Sequence, residues 1–366
     1  MAAISAGGNI PPFEVSRNAG QSLQRRIHLA LLLVAWGLVC PWTGPAAQVP
    51  TRPAARVVVV HDPQALEAFG ARPDRVRRMV DRALMRWTET ADVAGAWRRL
   101  VGTGDVVGIK VHSAPGRIFG TRPAVVEALI AGLLQAGCAP TNIIVWDRYL
   151  RDLQQAGFDT LTNRYGVVLA GAADTGYDPE VYYESALLGT LVWGDLEYGQ
   201  HQPGAGRKSH VTKLLTRRIT RLIVVSPMMA HPEAGVAGLL YTLARGSVDN
   251  FLRFEGEAAR LAQAVPEICA LPALSDPLTL CVVDGLLCQY LGGNRGLLHY
   301  SSELNEIRVG NDPVALDVLS LREIERQRRI LGIAHPPVSR ELYENAALLE
   351  LGVSDPARIE VITLND

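Results

Sequence analysis

Lysine is nearly absent from this 366-residue chain: of its 36 basic residues only Lys110, Lys208 and Lys213 are lysines. Arginine-rich codon usage accounts for such a bias, but it makes the position of each lysine informative. An excess of charge of one sign is also missing, since 36 basic residues face 37 acidic ones. That balance excludes a nucleic-acid or anionic-membrane surface built on bulk charge. Beyond Cys40 the only cysteines are Cys138, Cys269, Cys281 and Cys288, and none forms a CxxC pair. Zinc ribbons and iron–sulfur cradles are thereby excluded. The four read as buried thiols, with a Cys281–Cys288 disulfide left open in an oxidising compartment. There is no P-loop, dinucleotide GxGxxG, GxSxG elbow, HExxH or kinase set, so no motif supports a hydrolase, dehydrogenase or kinase. No internal repeat or low-complexity tract interrupts the region after residue 47.

The first 47 residues have the three parts of an export signal. Arg17, Arg25 and Arg26 precede the uncharged apolar run Leu29–Cys40, and Gly44-Pro45-Ala46-Ala47 makes a small-residue exit. Twelve apolar residues are too few for a comfortable membrane span. The Arg25-Arg26 pair points to the twin-arginine route, and an uncleaved anchor is the alternative. The expectation is an exported protein, periplasmic or extracellular, with no membrane span after cleavage.

From residue 48 to 366 the pattern is that of a single α/β domain. It predicts a mostly parallel or mixed sheet with helices on both faces, with two intimate lobes as a variant. Ala55–Val60 is a first strand, and Val76, Met79, Val80, Leu84 and Trp87 mark an amphipathic helix over 74–90. A second helix follows over 92–100. Strand 105–111, a helix opening at Thr121-Arg122-Pro123, and strand 142–146 make a β-α-β unit, which implies parallel pairing. Short strands are predicted at 166–170 and 188–193, and a short helix at 209–218. Leu222–Val225 is a buried strand stopped by Ser226-Pro227, with His231 on the loop beyond and a helix over 234–244. Leu278–Val283 is a strand ending on Asp284-Gly285, and 305–310 is another. Asp312-Pro313 caps a helix running to about Ile330. A helix near 341–351 and a strand at 358–362 complete the chain.

Candidate site residues gather where predicted strands end, because open α/β sheets bind ligands beyond their carboxyl ends. Lys110 breaks an apolar strand, and lysine is seldom buried unpaired. Burial suits it to base or anion-binding work, whereas a structural carboxylate partner is the alternative. His112 shares its face by the two-residue period. Lys110, His231 and Asp284 are the candidates for catalysis. His112, Arg122, Asp147, Ser247 and Asn250 are the candidates for ligand binding, with Lys110 and Arg122 holding an anion and Asp284 orienting His231. His112, His231 and Asp284, with Asp312 as a substitute carboxylate, are the candidate donor set for a divalent metal. No other cofactor is indicated.

The segments Val107–His112, Thr121–Ile130, His231–Asn250, Leu278–Gly285 and Val309–Asp317, with the ending Ala346–Gly352, occur in an order that resembles the uncharacterised domain family numbered 362. The resemblance is to its exported twin-arginine branch. It implies an α/β fold and brings no established activity. The family pattern carries a lysine two residues before the histidine and a Lys-Asn pair in the following helix; Met229 and Tyr241-Thr242 stand there instead. A shorter likeness, through Thr121-Arg122-Pro123, is to the nickel-pincer lactate racemases. Three classes of function stay open. The first is an enzyme or binding protein for a small anion or divalent metal. The second is a non-catalytic envelope protein with a small-molecule or protein partner, which the missing lysines favour. The third is a redox accessory protein without its own cluster.

Overall fold

The computed structural model describes residues 54–293 and 295–365, and the export signal expected over residues 1–47 lies outside them. Arg52–Asp366 cluster into one compact unit. Its frame is a nine-stranded mixed sheet. The strands are β1 (Ala55–His61), β2 (Val107–Val111), β3 (Ile143–Asp147), β4 (Val168–Gly171), β5 (Arg221–His231), β6 (Gly235–Val236), β7 (Leu278–Gln289), β8 (Ser301–Gly310) and β9 (Ile359–Asn365). They lie in the order β9-β1-β8-β7-β5-β2-β3-β4, with β6 hairpinned onto β5. The run β7-β5-β2-β3-β4 is parallel throughout, whereas β8 is antiparallel to both its neighbours.

Alternate residues of the β-branched strands enter two separate cores, so both faces must be covered. On one face, Val58, Val60, Val107, Ile109, Ile223 and Val225 pack under α1 (Pro73–Thr88), α2 (Val93–Leu100) and α3 (Pro123–Gln135). On the other, Val57, Val59, Leu222, Val224, Cys281 and Val283 pack under α4 (Leu239–Ser247), α5 (Ala258–Cys269), α6 (Pro313–Ile330) and α7 (Glu341–Leu348). The α/β class, the β2-α3-β3 unit and the cap of α6 match the sequence reading. Asp312 accepts the Ala315 N–H at 2.8 Å. Its second oxygen takes the Val353 N–H at 2.9 Å, tying the chain after α7 to the start of α6. All four described cysteines are free and buried.

Several elements differ from the expectation, each for a local reason. Ser226-Pro227 does not stop β5, which runs on to His231 as its last residue. Pro227 lacks an N–H, and the pairing with β7 slips at that point, from Asp284 opposite Pro227 to Cys288 opposite Met228. The irregularity absorbs the missing donor, and β7 likewise continues past Asp284 to Gln289. The helix predicted over 234–244 begins only at Leu239. Gly235 turns with φ +83°, and a Cβ there would meet Val338 at 2.6 Å, so this segment folds back as β6. No strand forms over 188–193. Tyr177–Glu184 pairs instead with Lys208–Thr212 as an antiparallel ribbon, taking the first half of the helix expected over 209–218. Among the described residues no helix is long and apolar enough to cross a membrane.

Candidate functional site

The carboxyl ends of β2, β3 and β5 lie side by side, and α4 crosses above them. At the centre is a buried ion pair. Lys110 on β2 sends its ammonium to Asp147 Oδ1 at 2.8 Å and to the Val111 carbonyl at 2.8 Å, with side-chain exposures of 0% and 3% for the pair. Asp147 gathers three more donors: the Arg148 N–H at 2.8 Å on Oδ1, and the Ser113 N–H at 2.8 Å and hydroxyl at 2.7 Å on Oδ2. Burial pushes the Asp147 carboxyl upward, but Lys110, His112 and the Ser113 donors outweigh it and hold the group below the usual carboxylate range. The Lys110 ammonium is therefore a strut between β2 and β3, the structural alternative for this residue.

His112 lies beyond Lys110 on the same face, and the Tyr241 ring of α4 stands over it at 6.1 Å between centroids. The same ring lies 4.4 Å from that of His231. Lys110, His112, Asp147 and His231 are thus brought together. Both imidazoles are held neutral: burial first and then the Arg245 cation push His112 down to about 3 and His231 down to about 4. His231 Nδ1 accepts the Ala234 N–H at 3.1 Å and the Glu233 N–H at 3.3 Å. The Glu233 carboxylate also stands 3.3 Å from that nitrogen. Since Nδ1 accepts, the neutral ring carries its proton on Nε2. That Nε2 is buried without a partner, as are His112 Nδ1 and the hydroxyls of Ser226, Thr242 and Ser247.

Arg245 closes the cluster from α4, one turn past Tyr241. Its charge acts on Lys110, both histidines and Asp147. Its Nε reaches Glu255 at 3.4 Å, and the Tyr241 hydroxyl donates to the same Glu255 oxygen at 2.8 Å. Helical geometry breaks at Arg245 and Gly246. Gly246 has φ +95°, and a Cβ there would lie 3.3 Å from Asp147 Oδ1 and 3.2 Å from the Arg148 nitrogen. Only glycine lets the end of α4 rest on the Asp147 carboxylate. The other end of α4 is held by Asp317 of α6, which accepts the Leu239 and Leu240 N–H groups at 2.6 and 2.9 Å.

Four expected site residues go elsewhere: Asp284, Arg122, Asp312 and Asn250. Asp284 does not orient His231. Its Oδ1 takes Arg122 Nη1 at 2.7 Å and its Oδ2 takes the Arg122 N–H at 3.0 Å, on the face covered by α3. Strand alternation decides this, since Asp284 has the parity of Val282 in the core beneath α1–α3. The metal set of His112, His231 and Asp284 is therefore not assembled, and Asp312 is occupied in capping. Among the described residues no group of three His, Cys, Asp or Glu side chains converges as a metal site. Asn250 belongs to a neighbouring polar cluster. Its N–H donates to Asp195 at 3.0 Å and its amide to the Gly206 and Lys208 carbonyls at 2.7 and 3.0 Å. There Asp249, unread in the sequence, takes the His210 N–H at 2.5 Å and the Leu196 N–H at 2.8 Å. Arg245 and Ser113 were also missed. The four-residue spacing of Tyr241 and Arg245 was the available signal for the first.

No protein-family model matches the chain, and no curated protein matches it. A solved structure from Thermotoga maritima, a structural-genomics target, is similar over 73% of this chain at 11% identity with a TM-score of 0.38. The chain spans 60% of the length of that structure.

Two outcomes follow from the ion pair and the imidazoles. Lys110→Met leaves Asp147 buried and uncompensated, so urea denaturation should show a loss of about 3–5 kcal/mol. Both histidines take up protons more readily unfolded than folded. Stability is therefore fully present above about pH 6.5 and declines as pH falls towards 4. Melting temperature measured against pH should show that acid limb, and His231→Gln should flatten it.

Proposed function

We propose that the protein binds a small inorganic or organic anion at the ends of β2, β3 and β5, beneath α4. The observation that carries this reading is the His231 Nε2–H, a buried donor without a partner. It shares its surroundings with the unpartnered His112 Nδ1 and two cations. Buried polar atoms are normally satisfied, and a concentration of orphans calls for a guest that satisfies them. An anion fits the charge balance. Lys110 is neutralised by Asp147, while Arg245 has Glu255 on its outer side and the neutral imidazoles on its inner side. A bound anion would raise the pKa of both imidazoles, letting His112 donate as well.

Entry fits Arg245, whose side chain is 21% exposed where those of Lys110 and Asp147 are 0% and 3%. In this reading the Arg245 side chain moves off Glu255 to open the cluster, while the backbone at Gly246 stays seated on Asp147. The six segments resembling domain family 362 support membership of that family as part of the same reading. Met229 and Tyr241 in place of its lysines favour binding over catalysis. The Arg25-Arg26 pair and the Leu29–Cys40 run support export, which N-terminal sequencing of the mature protein tests: an intact Met1 end on protein recovered from the cytoplasm would refute it.

Sulfate, which keeps its charge across the range, is the probe for the site. Calorimetric titration should give tighter binding at pH 5.5 than at pH 8, with proton uptake, because binding stabilises the protonated imidazoles. Arg245→Met should weaken binding by about tenfold or more, the worth of a charged hydrogen bond. Absence of saturable binding, or pH-independent binding indifferent to Arg245→Met, refutes the proposal.

A further inference from the structure

A cavity of about 400 Å³ lies on the α1–α3 face, away from α4, and Arg122 is part of its wall. The Arg122 side chain is 5% exposed, and its bond to Asp284 uses only Nη1. Nε and Nη2 are buried and have no partner. These two N–H groups lie on one edge of the guanidinium and point in parallel, which is the fork that a carboxylate or phosphate accepts side-on. Asp284 therefore fixes the orientation of Arg122 while leaving that fork unspent.

The surroundings favour an anion with an apolar body. Ala124, in the first turn of α3, lines the cavity, and α3 has 13 residues, so the positive end of its dipole reaches the same space. Glu127 is the one acidic group on the wall, and it is engaged by Arg164 and by the Tyr165 hydroxyl. Arg117 adds a second positive charge at the mouth. The remaining surface is largely hydrocarbon. Phe69 and Ile118 stand 38% and 43% exposed at the rim, and Pro73 and Pro123 add to the wall. Phe69 is presented by a strained turn, in which Ala68 and Phe69 have φ of +46° and +64°. Strain of this kind persists where the surroundings over-determine it, and it is common at ligand clamps.

We propose that this cavity is a second binding site, taking an organic monocarboxylate whose carboxylate docks on the Arg122 Nε/Nη2 edge and whose apolar body rests against Phe69 and Ile118. The site is independent of the histidine cluster, because its wall shares no residue with that cluster. Benzoate, titrated into the full chain and followed by ligand-observed NMR and calorimetry, is the test. Saturable binding that is equal at pH 5.5 and pH 8 is expected, in contrast to sulfate at the other site. Ile118→Asp, a rim substitution outside the core, should weaken benzoate tenfold or more with an unchanged melting temperature. Arg122→Lys, which keeps the charge but removes the fork, should also weaken benzoate tenfold or more. The proposal is overturned if benzoate does not saturate, if benzyl alcohol binds as tightly, or if Ile118→Asp binds benzoate like the unaltered protein.

Discussion

The Lys110–Asp147 pair is the interaction on which the rest of the site depends. Two opposite charges out of water are tolerable only when each has its full complement of partners. Here Asp147 collects four donors, and Lys110 adds a carbonyl to its carboxylate. The pair locks the ends of β2 and β3 together and sets the turn at Ser113. It also offers a flat, charged floor on which Gly246 can rest. That floor seats the far end of α4, whose beginning is held by Asp317, and so Tyr241 and Arg245 face the two histidines.

Around this floor the sheet separates the polar residues into two systems. Lys110 and His112 point to the face covered by α4, whereas Asp284 points to the face covered by α3 and meets Arg122. Thr121 joins the two. Its hydroxyl donates to the Val225 carbonyl at 2.7 Å and accepts the His112 N–H at 3.0 Å, and its own N–H donates to the His112 carbonyl at 2.9 Å. The start of α3 is thereby pinned directly behind His112. Neither system needs the other's charge, since each cation has its own carboxylate.

The amino-acid sequence by itself determined the α/β class, the β2-α3-β3 unit, the cap at Asp312 and the common face of Lys110 and His112. These are local facts: a β-branched run, a two-residue period, a capping residue before proline. Tertiary structure alone decided which strand ends became neighbours, and therefore that Asp147 neutralises Lys110 while Asp284 turns away to Arg122. It also decided that β5 passes through Pro227, since only its slipped pairing with β7 absorbs the missing N–H. The role of Arg245 likewise depends on where Asp317, far along the chain, anchors α4. Periodicity reports which face a residue takes, but charge pairing depends on distances between strands that only the assembled sheet sets.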